Sequence, residues 1–409
     1  MIIMVVAFIA WPLLGLILAI ANVRLNYARW ILIAFCGYYG LTMVFENETL
    51  DSYTHAERFI QESDMSFSEY LNRLGEIFSL QSKDLDIYVV TSSFIVSIVS
   101  SRPEFYYFLH AIVFGFFYIS TLYTLLDERK NYTIKNELFF ILFVIALAAL
   151  VPISQVNSIR QWTAAWIFTY GIVNYIRNKP NYLFVAASSV LVHFMFALPV
   201  SILFLYSALG RKNNLYWMML AAAFVLSNAV GLFLDSFGNL EQEGVTNKIK
   251  GYSNENWLEA RETSRESVRW FVKYKDDLIN YSLNLLIIRF ITLKKKLNVD
   301  VIQEKLYSLL ILFSSFTVLV WDVEALGNRM RISFWLLCFY FFARLYLLNN
   351  FKFKYNAVAA LPLGAMVLWM LVDFRTASTW TSDITFFGNI FYLILFPDEK
   401  TALFDLIFK

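Results

Sequence analysis

The sequence predicts an all-α polytopic membrane protein, both from its composition and from the arrangement of its hydrophobic residues. Of the 409 residues, 59% are hydrophobic and only 16% are charged, whereas soluble globular chains average about 45–50% apolar and about 25% charged residues. The hydrophobic residues lie in long runs, and at about 20 residues per membrane helix these runs amount to about 11–14 membrane segments. We therefore expect residues 1–409 to form one transmembrane helical bundle.

Most of the apolar runs are predicted to cross the bilayer as helices, because a chain in hydrocarbon must satisfy its backbone hydrogen bonds internally. Residues 182–209 have basic loops on both sides, which predicts a hairpin of two short helices with its turn near His193 to Pro199. Residues 86–101, which are short and rich in Ser and Thr, are predicted to form a re-entrant or surface helix. The predicted spans are residues 2–21, 29–45, 104–126, 137–153, 161–176, 215–234, 277–293, 305–322, 331–348, 356–373 and 385–397.

Basic residues indicate the orientation, because Lys and Arg are enriched in cytoplasmic loops. With the amino terminus outside and the carboxyl terminus inside, residues 46–103 and 236–276 become long outer-face loops. Loops of this length are usually functional or disordered, and their aromatic residues and helical patterns predict that both are structured. The basic segments placed inside are Arg24 with Arg29, Arg129 with Lys130 and Lys135, the flanks of the hairpin, Lys294 to Lys296, and Lys352 with Lys354.

The chemistry of soluble enzymes has little support in this sequence. There is no P-loop, no GxGxxG motif before a helix, and no HExxH or CxxC motif. The three histidines do not have the spacing of metal ligands, so we expect neither a metal nor a cofactor, and we expect no nucleic acid as a partner. Cys36 and Cys338 both fall inside apolar runs and are interpreted as packing residues rather than a disulfide.

Arginines at the predicted outer face are the most informative charged residues. Arg160, beside Asn157 and Gln161, lies at the start of one span, and Arg329 with Arg331 lies before another. The positive-inside rule disfavours arginine at this face, and an ionisable group near the bilayer is costly. The guanidinium fork suits bidentate binding of phosphate oxygens, which points to an anionic ligand. The alternative is that these arginines reach lipid headgroups or pair with loop carboxylates.

Three further groups of residues are candidates for the same site. Asp51 with Tyr53 and Arg58 begins the first outer loop, where a carboxylate could act as a general base; acidic loops are otherwise usually only solvated. Arg261 and Arg265 recur at a spacing of four on a predicted outer-loop helix, and either line the way to the site or pair with neighbouring glutamates. His193, at the predicted hairpin turn, is either a packing residue or a catalytic one.

Taken together, these motifs resemble the EpsG/Wzy-type polysaccharide polymerases. The resemblance rests on Asp51-Ser52-Tyr53, on Asn157-Ser158-Ile159-Arg160-Gln161-Trp162-Thr163-Ala164, on His193-Phe194-Met195-Phe196-Ala197 and on Arg329-Met330-Arg331, in this order along the chain. The family often has a small polar residue after the histidine, where Phe194 stands here.

The resemblance implies a metal-independent, GT-C-like membrane glycosyltransferase that acts at the outer face of the bacterial inner membrane. Its donor and acceptor would be oligosaccharide repeats on undecaprenyl pyrophosphate, and a flippase and a chain-length regulator would be its partners. Asp51, with His193 second, would orient or deprotonate the acceptor. Arg160 with Arg329 or Arg331 would bind the pyrophosphate. Asn157, Gln161, Tyr53, Arg58, Arg261 and Arg265 would complete the substrate site.

Other functions remain open from the sequence alone. A flippase or other transporter would need polar residues along a path through the bundle, whereas the charged candidates here concentrate at one face. An O-antigen ligase shares the donor but transfers the glycan to a lipid A core, and the sequence does not separate it from a polymerase. An acyltransferase is a weaker alternative, because His55 lacks an HxxxD pattern.

Overall fold

The computed structural model describes residues 1–82, 85–132, 136–237, 269–321, 323–351, 353–395 and 399–408. In these residues the chain forms nineteen α-helices. They are α1 (Ile2–Ala10), α2 (Pro12–Ala21), α3 (Ala28–Leu41), α4 (Asp51–Glu62), α5 (Phe67–Phe78), α6 (Ile87–Ser97), α7 (Pro103–Arg129), α8 (Glu137–Leu150), α9 (Gln161–Ile176), α10 (Tyr182–Val192), α11 (Ala197–Leu209), α12 (Asn213–Phe237), α13 (Trp270–Leu293), α14 (Val301–Leu319), α15 (Glu324–Leu348), α16 (Phe353–Ala377), α17 (Ile384–Phe387), α18 (Ile390–Leu395) and α19 (Leu403–Phe408).

Five stretches of helix in the described part of the chain are long and apolar enough to cross a bilayer. Shorter apolar helices, α2, α6, α10 and the stretch that contains α11, accompany them. Of these five, helix α15 is the most enclosed: 89% of its most apolar 18-residue stretch is buried inside the protein. The five stretches are Pro103–Arg129, Glu137–Asn157, Val301–Leu319, Leu326–Leu348 and Tyr355–Ala377. The prediction of an all-α, multispanning membrane protein is confirmed.

The predicted cytoplasmic connections meet at one end of the bundle, which we call the basic end. Arg177, after α9, donates to the carbonyl oxygen of Thr124 in the last turns of α7 at 3.3 Å. Lys305, in the first turn of α14, donates to the side chain of Asn178 at 2.6 Å. Lys135 and Lys352 lie outside the described residues. The opposite end, where α9 and α15 begin, is called the Asp86 end.

Helices α10 and α11 form the predicted hairpin. The hydroxyl of Tyr175, at the end of α9, bonds to Ser207 Oγ at 2.8 Å, and the hydroxyl of Tyr206 donates to the carbonyl oxygen of Lys305 at 3.1 Å. The end of α11 therefore returns to the basic end, where α10 begins. The turn lies at His193, whose backbone is extended (φ −149°, ψ 111°).

The predicted span over residues 2–21 is wrong as a single helix. Trp11 has an extended backbone (φ −155°, ψ 100°) and Pro12 begins α2. A Cβ atom on Gly15 would lie 2.6 Å from the Cα of Phe8, so α1 folds back against α2. Each helix is about 15 Å long at 1.5 Å per residue, about half the thickness of the hydrocarbon core.

The predicted last span, residues 385–397, is also wrong. Helices α17 and α18 have only four and six residues. Farther along, Lys400 donates to the carbonyl oxygen of Leu41 at 3.1 Å and to Glu104 at 3.0 Å, and the Leu403 amide donates to Thr381 at 2.8 Å. All of these partners lie at the Asp86 end. The described carboxyl-terminal residues 399–408 therefore lie at the Asp86 end of the bundle.

A buried ion cluster joins three helices near the basic end. Arg344 of α15 is fully buried and donates to both carboxylate oxygens of Glu128 (2.6 and 3.2 Å) and of Asp300 (2.7 and 2.5 Å). It also donates to Gln303 Oε1 at 3.1 Å. These contacts cross-link α7, α14 and α15, because Glu128 lies on α7 and Asp300 caps the start of α14.

The two cysteines are packing residues, as predicted. Both are buried and neither forms a disulfide. Cys36 lies where α3 and α7 pack closely, because a Cβ atom on Gly115 would lie 2.6 Å from the Cβ of Cys36. A larger residue at Gly115 would separate these two helices.

Candidate active site

Four separate stretches of chain meet at the Asp86 end, and each supplies one polar side chain. Asp86 lies just before α6, Arg160 just before α9, His193 at the turn between α10 and α11, and Arg329 in the first turns of α15. We call these four residues the Asp86 cluster. They are far apart in sequence, so the cluster depends on the packing of the whole bundle.

Asp86 is the centre of this cluster and is 1% exposed. Its Oδ2 accepts a hydrogen bond from Arg160 Nη1 at 2.8 Å and lies 3.3 Å from His193 Nδ1. Its Oδ1 accepts a hydrogen bond from the backbone amide of Phe194 at 2.8 Å. Both carboxylate oxygens are therefore occupied, which fixes the orientation of the group.

The backbone at the hairpin turn explains one of these bonds. His193 is extended, so the helix is broken and the Phe194 amide begins a short 3-10 turn, Phe194–Phe196. Amides at the start of a helical turn have no partner within that turn. The carboxylate of Asp86 satisfies the Phe194 amide and so holds the hairpin turn against α6.

The pKa of Asp86 is lowered below its ordinary value. Burial is the largest single influence and favours the neutral acid. The interactions of Asp86 with His193, with Arg160 and with the Phe194 amide together outweigh burial. Asp86 is therefore an ionised carboxylate at neutral pH.

The pKa of His193 is also lowered, from an ordinary value of 6.5. Burial is again the largest influence, and here it favours the neutral ring; the charges of Arg329 and Arg160 act in the same direction. Together they outweigh the opposite effect of Asp86. A neutral imidazole that donates its Nδ1 proton to Asp86 keeps Nε2 as a proton acceptor. This is the arrangement of a general base.

Two arginines provide positive charge beside this base. The Arg160 side chain contacts Asp86 and is still 26% exposed. Arg329 Nε donates to Gln161 Oε1 at 3.1 Å, so Gln161 connects the start of α9 to α15. A guanidinium has five N–H donors in a fork that matches phosphate oxygens. The cluster therefore combines a neutral base with two cations suited to an anionic group.

Asp51 lies next to this cluster but is not part of its hydrogen-bond network. It is the first residue of α4, is exposed, and accepts a hydrogen bond from the hydroxyl of Ser158. Asn157 Oδ1 accepts a hydrogen bond from the Ser52 amide at 3.0 Å, and the hydroxyl of Tyr107 donates to the Ser52 carbonyl at 3.1 Å. Asn157 therefore anchors the start of α4 to the segment that leads to Arg160.

The other candidates on α4 do not contact the Asp86 cluster in the described structure. Arg58 Nε donates to Glu62 at 2.9 Å, and Arg73 forms a second ion pair with Glu62 at 2.5 Å. Tyr53 is half-buried on the same helix. His55, one turn after Asp51 on α4, is buried, whereas Asp51 is exposed at the start of the helix.

Arg331 faces a different part of the protein from Arg329. Its Nη2 lies 3.3 Å from Asp276 Oδ2 of α13 and also donates to Asn328. Its guanidinium carbon lies 5.3 and 5.4 Å from the ring centres of Trp321 and Trp335. Residues two apart on a helix point about 200° apart, so the two arginines cannot serve one small site equally. Arg261 and Arg265 lie outside the described residues.

Sequence reasoning missed Asp86, the most connected residue of the cluster. The available signal was a carboxylate directly before a short, apolar, Ser- and Thr-containing segment, where an ionisable group is costly. In the described part of the chain, no group of three His, Cys, Asp or Glu side chains is placed to hold a metal ion.

Comparison with known proteins agrees with the resemblance seen in the motifs. A model of the EpsG family matches residues 67–387. No curated protein and no solved structure matches the chain. The matched region contains all four residues of the Asp86 cluster and most of the chain. This protein therefore belongs to the EpsG family.

Proposed function

We propose that this protein is a polysaccharide polymerase that joins oligosaccharide repeats carried on a polyprenyl diphosphate lipid. Family membership supports a role of the polysaccharide-polymerase type. The observation that carries the proposal is the neutral, Asp86-oriented His193 beside Arg160, with Arg329 close enough to influence its pKa. Glycosyl transfer from a diphosphate donor needs these two elements, a base and a set of cations.

The base acts on the acceptor sugar. Its hydroxyl oxygen attacks the anomeric carbon of the donor, and His193 Nε2 takes the hydroxyl proton as the new glycosidic bond forms. Asp86 holds the ring through Nδ1 and stabilises the imidazolium that results. Because Asp86 is already ionised and bonded, it does not need to reorganise when this charge develops.

The cations act on the leaving group. The bond between the anomeric carbon and the phosphate oxygen breaks, and the diphosphate leaves with the electron pair. Arg160 and Arg329 stabilise the negative charge that develops on it, and preorganised donors of this kind are typically worth about 10²–10³ in rate. Asp51, the other candidate base, then has a supporting role at the start of α4.

The proposed reaction takes place at the outer face of the plasma membrane. The basic end gathers Arg177, Lys305 and Lys294 to Lys296, and the positive-inside rule assigns such an end to the cytoplasm. The Asp86 cluster lies at the other end. Lipid-linked repeats would reach it after transport by a flippase, and a chain-length regulator is a further expected partner.

A glycan ladder from cells that lack the protein, with and without the wild-type copy, tests this function. We expect that its loss abolishes the polymer while single repeats still reach their final acceptor. Lipid-linked polymer that accumulates outside would instead indicate a ligase. Single repeats that accumulate inside would indicate a flippase, and either result would overturn the proposal.

A further inference from the structure

A long groove lies on the side of α15 that faces away from Arg329. It consists of two cavities of about 300 and 280 Å³ between α12, α13, α14 and α15. The two cavities are neighbours, because both are lined by Phe224, Asn284, Ser314, Val318 and Phe334. Together they follow the same four helices from one cavity to the next.

The groove is open at the surface of the helical bundle. Phe224 and Ile288, which line it, are 66% and 58% exposed. On α13 the lining extends from Asn280 to Ile291, which is about 17 Å at 1.5 Å per residue. Half of the hydrocarbon core is about 15 Å. The groove thus has the depth of one leaflet and accepts a chain from the side.

The two ends of the groove differ in polarity. Toward the Asp86 end the lining includes Asn280, Thr317 and Trp321, and the guanidinium of Arg331 lies over the Trp321 ring at 5.3 Å. The indole N–H of Trp335, the other ring beneath Arg331, points to Asn280 Oδ1 at 3.5 Å. Arg331, which is buried and pairs with Asp276 at 3.3 Å, therefore lies behind the Trp321 ring at this end of the groove.

Toward the basic end the lining is almost entirely apolar and aromatic. Phe290, Tyr307 and Phe341 supply rings, and Ile287 and Leu310 supply aliphatic side chains. An apolar lining of this kind favours burial of a hydrocarbon chain. The gradient from a cation to apolar rings matches a lipid with an anionic headgroup and an apolar tail.

We propose that this groove binds the polyprenyl chain of one lipid-linked substrate, with its diphosphate near Arg331. The inference rests on the proposed function, because a polymerase must hold two lipid-linked repeats at once. Arg329 belongs to the Asp86 cluster and Arg331 to the groove. Helix α15 thus lies between the two substrates: one has its lipid chain in the groove, and the other has its diphosphate at Arg160 and Arg329.

A matched pair of variants of the full-length protein tests the groove. Ile288→Trp narrows it, whereas Leu285→Trp changes a side chain that is 51% exposed on the same helix and does not line it. Repeats are supplied on a long polyprenyl diphosphate and on a short one of two isoprene units. We expect Ile288→Trp to raise KM about tenfold for the long-chain substrate, the effect of losing burial of about two carbon groups. The short-chain KM and all values for Leu285→Trp should match the wild type.

Photo-crosslinking gives a second readout that does not depend on activity. A polyprenyl diphosphate without sugar, carrying a diazirine in its chain, should label α13 and α14 in the wild type and in Leu285→Trp, but not in Ile288→Trp. Equal KM values for the two variants, or labelling that diacyl phospholipid removes as effectively as unlabelled polyprenyl diphosphate, would overturn the inference. A wild-type protein that crosslinks but does not polymerise would contradict the proposed function and leave the groove assignment standing.

Discussion

The ion cluster around Arg344 and the Asp86 cluster both bring arginine to a buried carboxylate, but they are built differently. At the basic end Arg344 is fully buried, and its donors are taken up by two carboxylates and the Gln303 amide. At the Asp86 end Arg160 contacts Asp86, which also lies beside His193, and the Arg160 side chain is 26% exposed. Both are ion clusters that join several helices, but only the second has an accessible cation and a titratable base.

The difference separates a structural cluster from a candidate active site. A buried cation whose partners are complete has no capacity for a ligand, and removing a partner from such a group is strongly destabilising. An arginine that a carboxylate orients and whose side chain is partly exposed to the surface can bind an anion. We therefore expect the same substitution of arginine to lower activity at the Asp86 cluster and stability at the Arg344 cluster.

Replacing each arginine with lysine is the most direct way to test this contrast. Arg160→Lys keeps the charge but loses the fork, and we expect activity to fall about 10²–10³-fold with little loss of stability. Arg344→Lys should lower stability by about 2–3 kcal/mol, because one ammonium group cannot replace the bonds to two carboxylates. Polymerisation by purified protein and thermal unfolding in the same detergent measure the two effects.

The comparison fails if the two variants behave alike. Wild-type activity in Arg160→Lys would remove Arg160 from the site. Arg344→Lys with normal unfolding but lost activity would mean that the basic-end cluster is functional.

The pH dependence of kcat/KM tests whether the Asp86 cluster contains the base, and its expected effect is smaller than that of the arginine substitutions. Because the pKa of His193 is lowered from 6.5, the acid-side midpoint should lie below about pH 6.5, where the base becomes protonated. In Asp86→Asn the carboxylate that raises the pKa of His193 is absent, so the midpoint should move to lower pH as the maximal rate falls. A midpoint that moves upward would contradict the assignment, and Asp51→Asn is the control that should keep the wild-type midpoint.

Sequence patterns could predict the features that depend on local composition. Long apolar runs identified the long membrane helices, and basic residues on both sides of 182–209 indicated the hairpin. Arg177 and Lys294 were assigned to one end by the same rule, and the structure places Arg177 beside the last turns of α7 and Lys294 beside Glu304 near the start of α14, both at that end. Pro12 could have indicated the break within residues 2–21. Proline favours the first turn of a helix and so marks the start of a new helix there.

The site was harder to predict because its contacts are long-range. Asp86 lies 74 residues from Arg160 and 107 from His193 in sequence, and no local motif joins them. Arg329 and Arg331 share one short motif but face different helices, which only the packing of α15 decides. The prediction of a span after α16 was wrong for a related reason, because a long-range contact decides the path of this segment. The hydroxyls of Thr385 and Thr42 lie 2.6 Å apart and hold the segment at the Asp86 end.

The rate of sugar–sugar bond formation by purified His193→Gln, compared with Asp51→Asn, tests the central claim most directly. Glutamine can still donate to Asp86 but cannot accept the acceptor proton as a base. We predict a rate at least about a hundredfold below wild type for His193→Gln, unchanged thermal unfolding, and a loss of no more than about threefold for Asp51→Asn, whose exposed carboxylate only accepts a bond from Ser158. Wild-type rates in His193→Gln, with a large loss in Asp51→Asn, would contradict the account and make Asp51 the base.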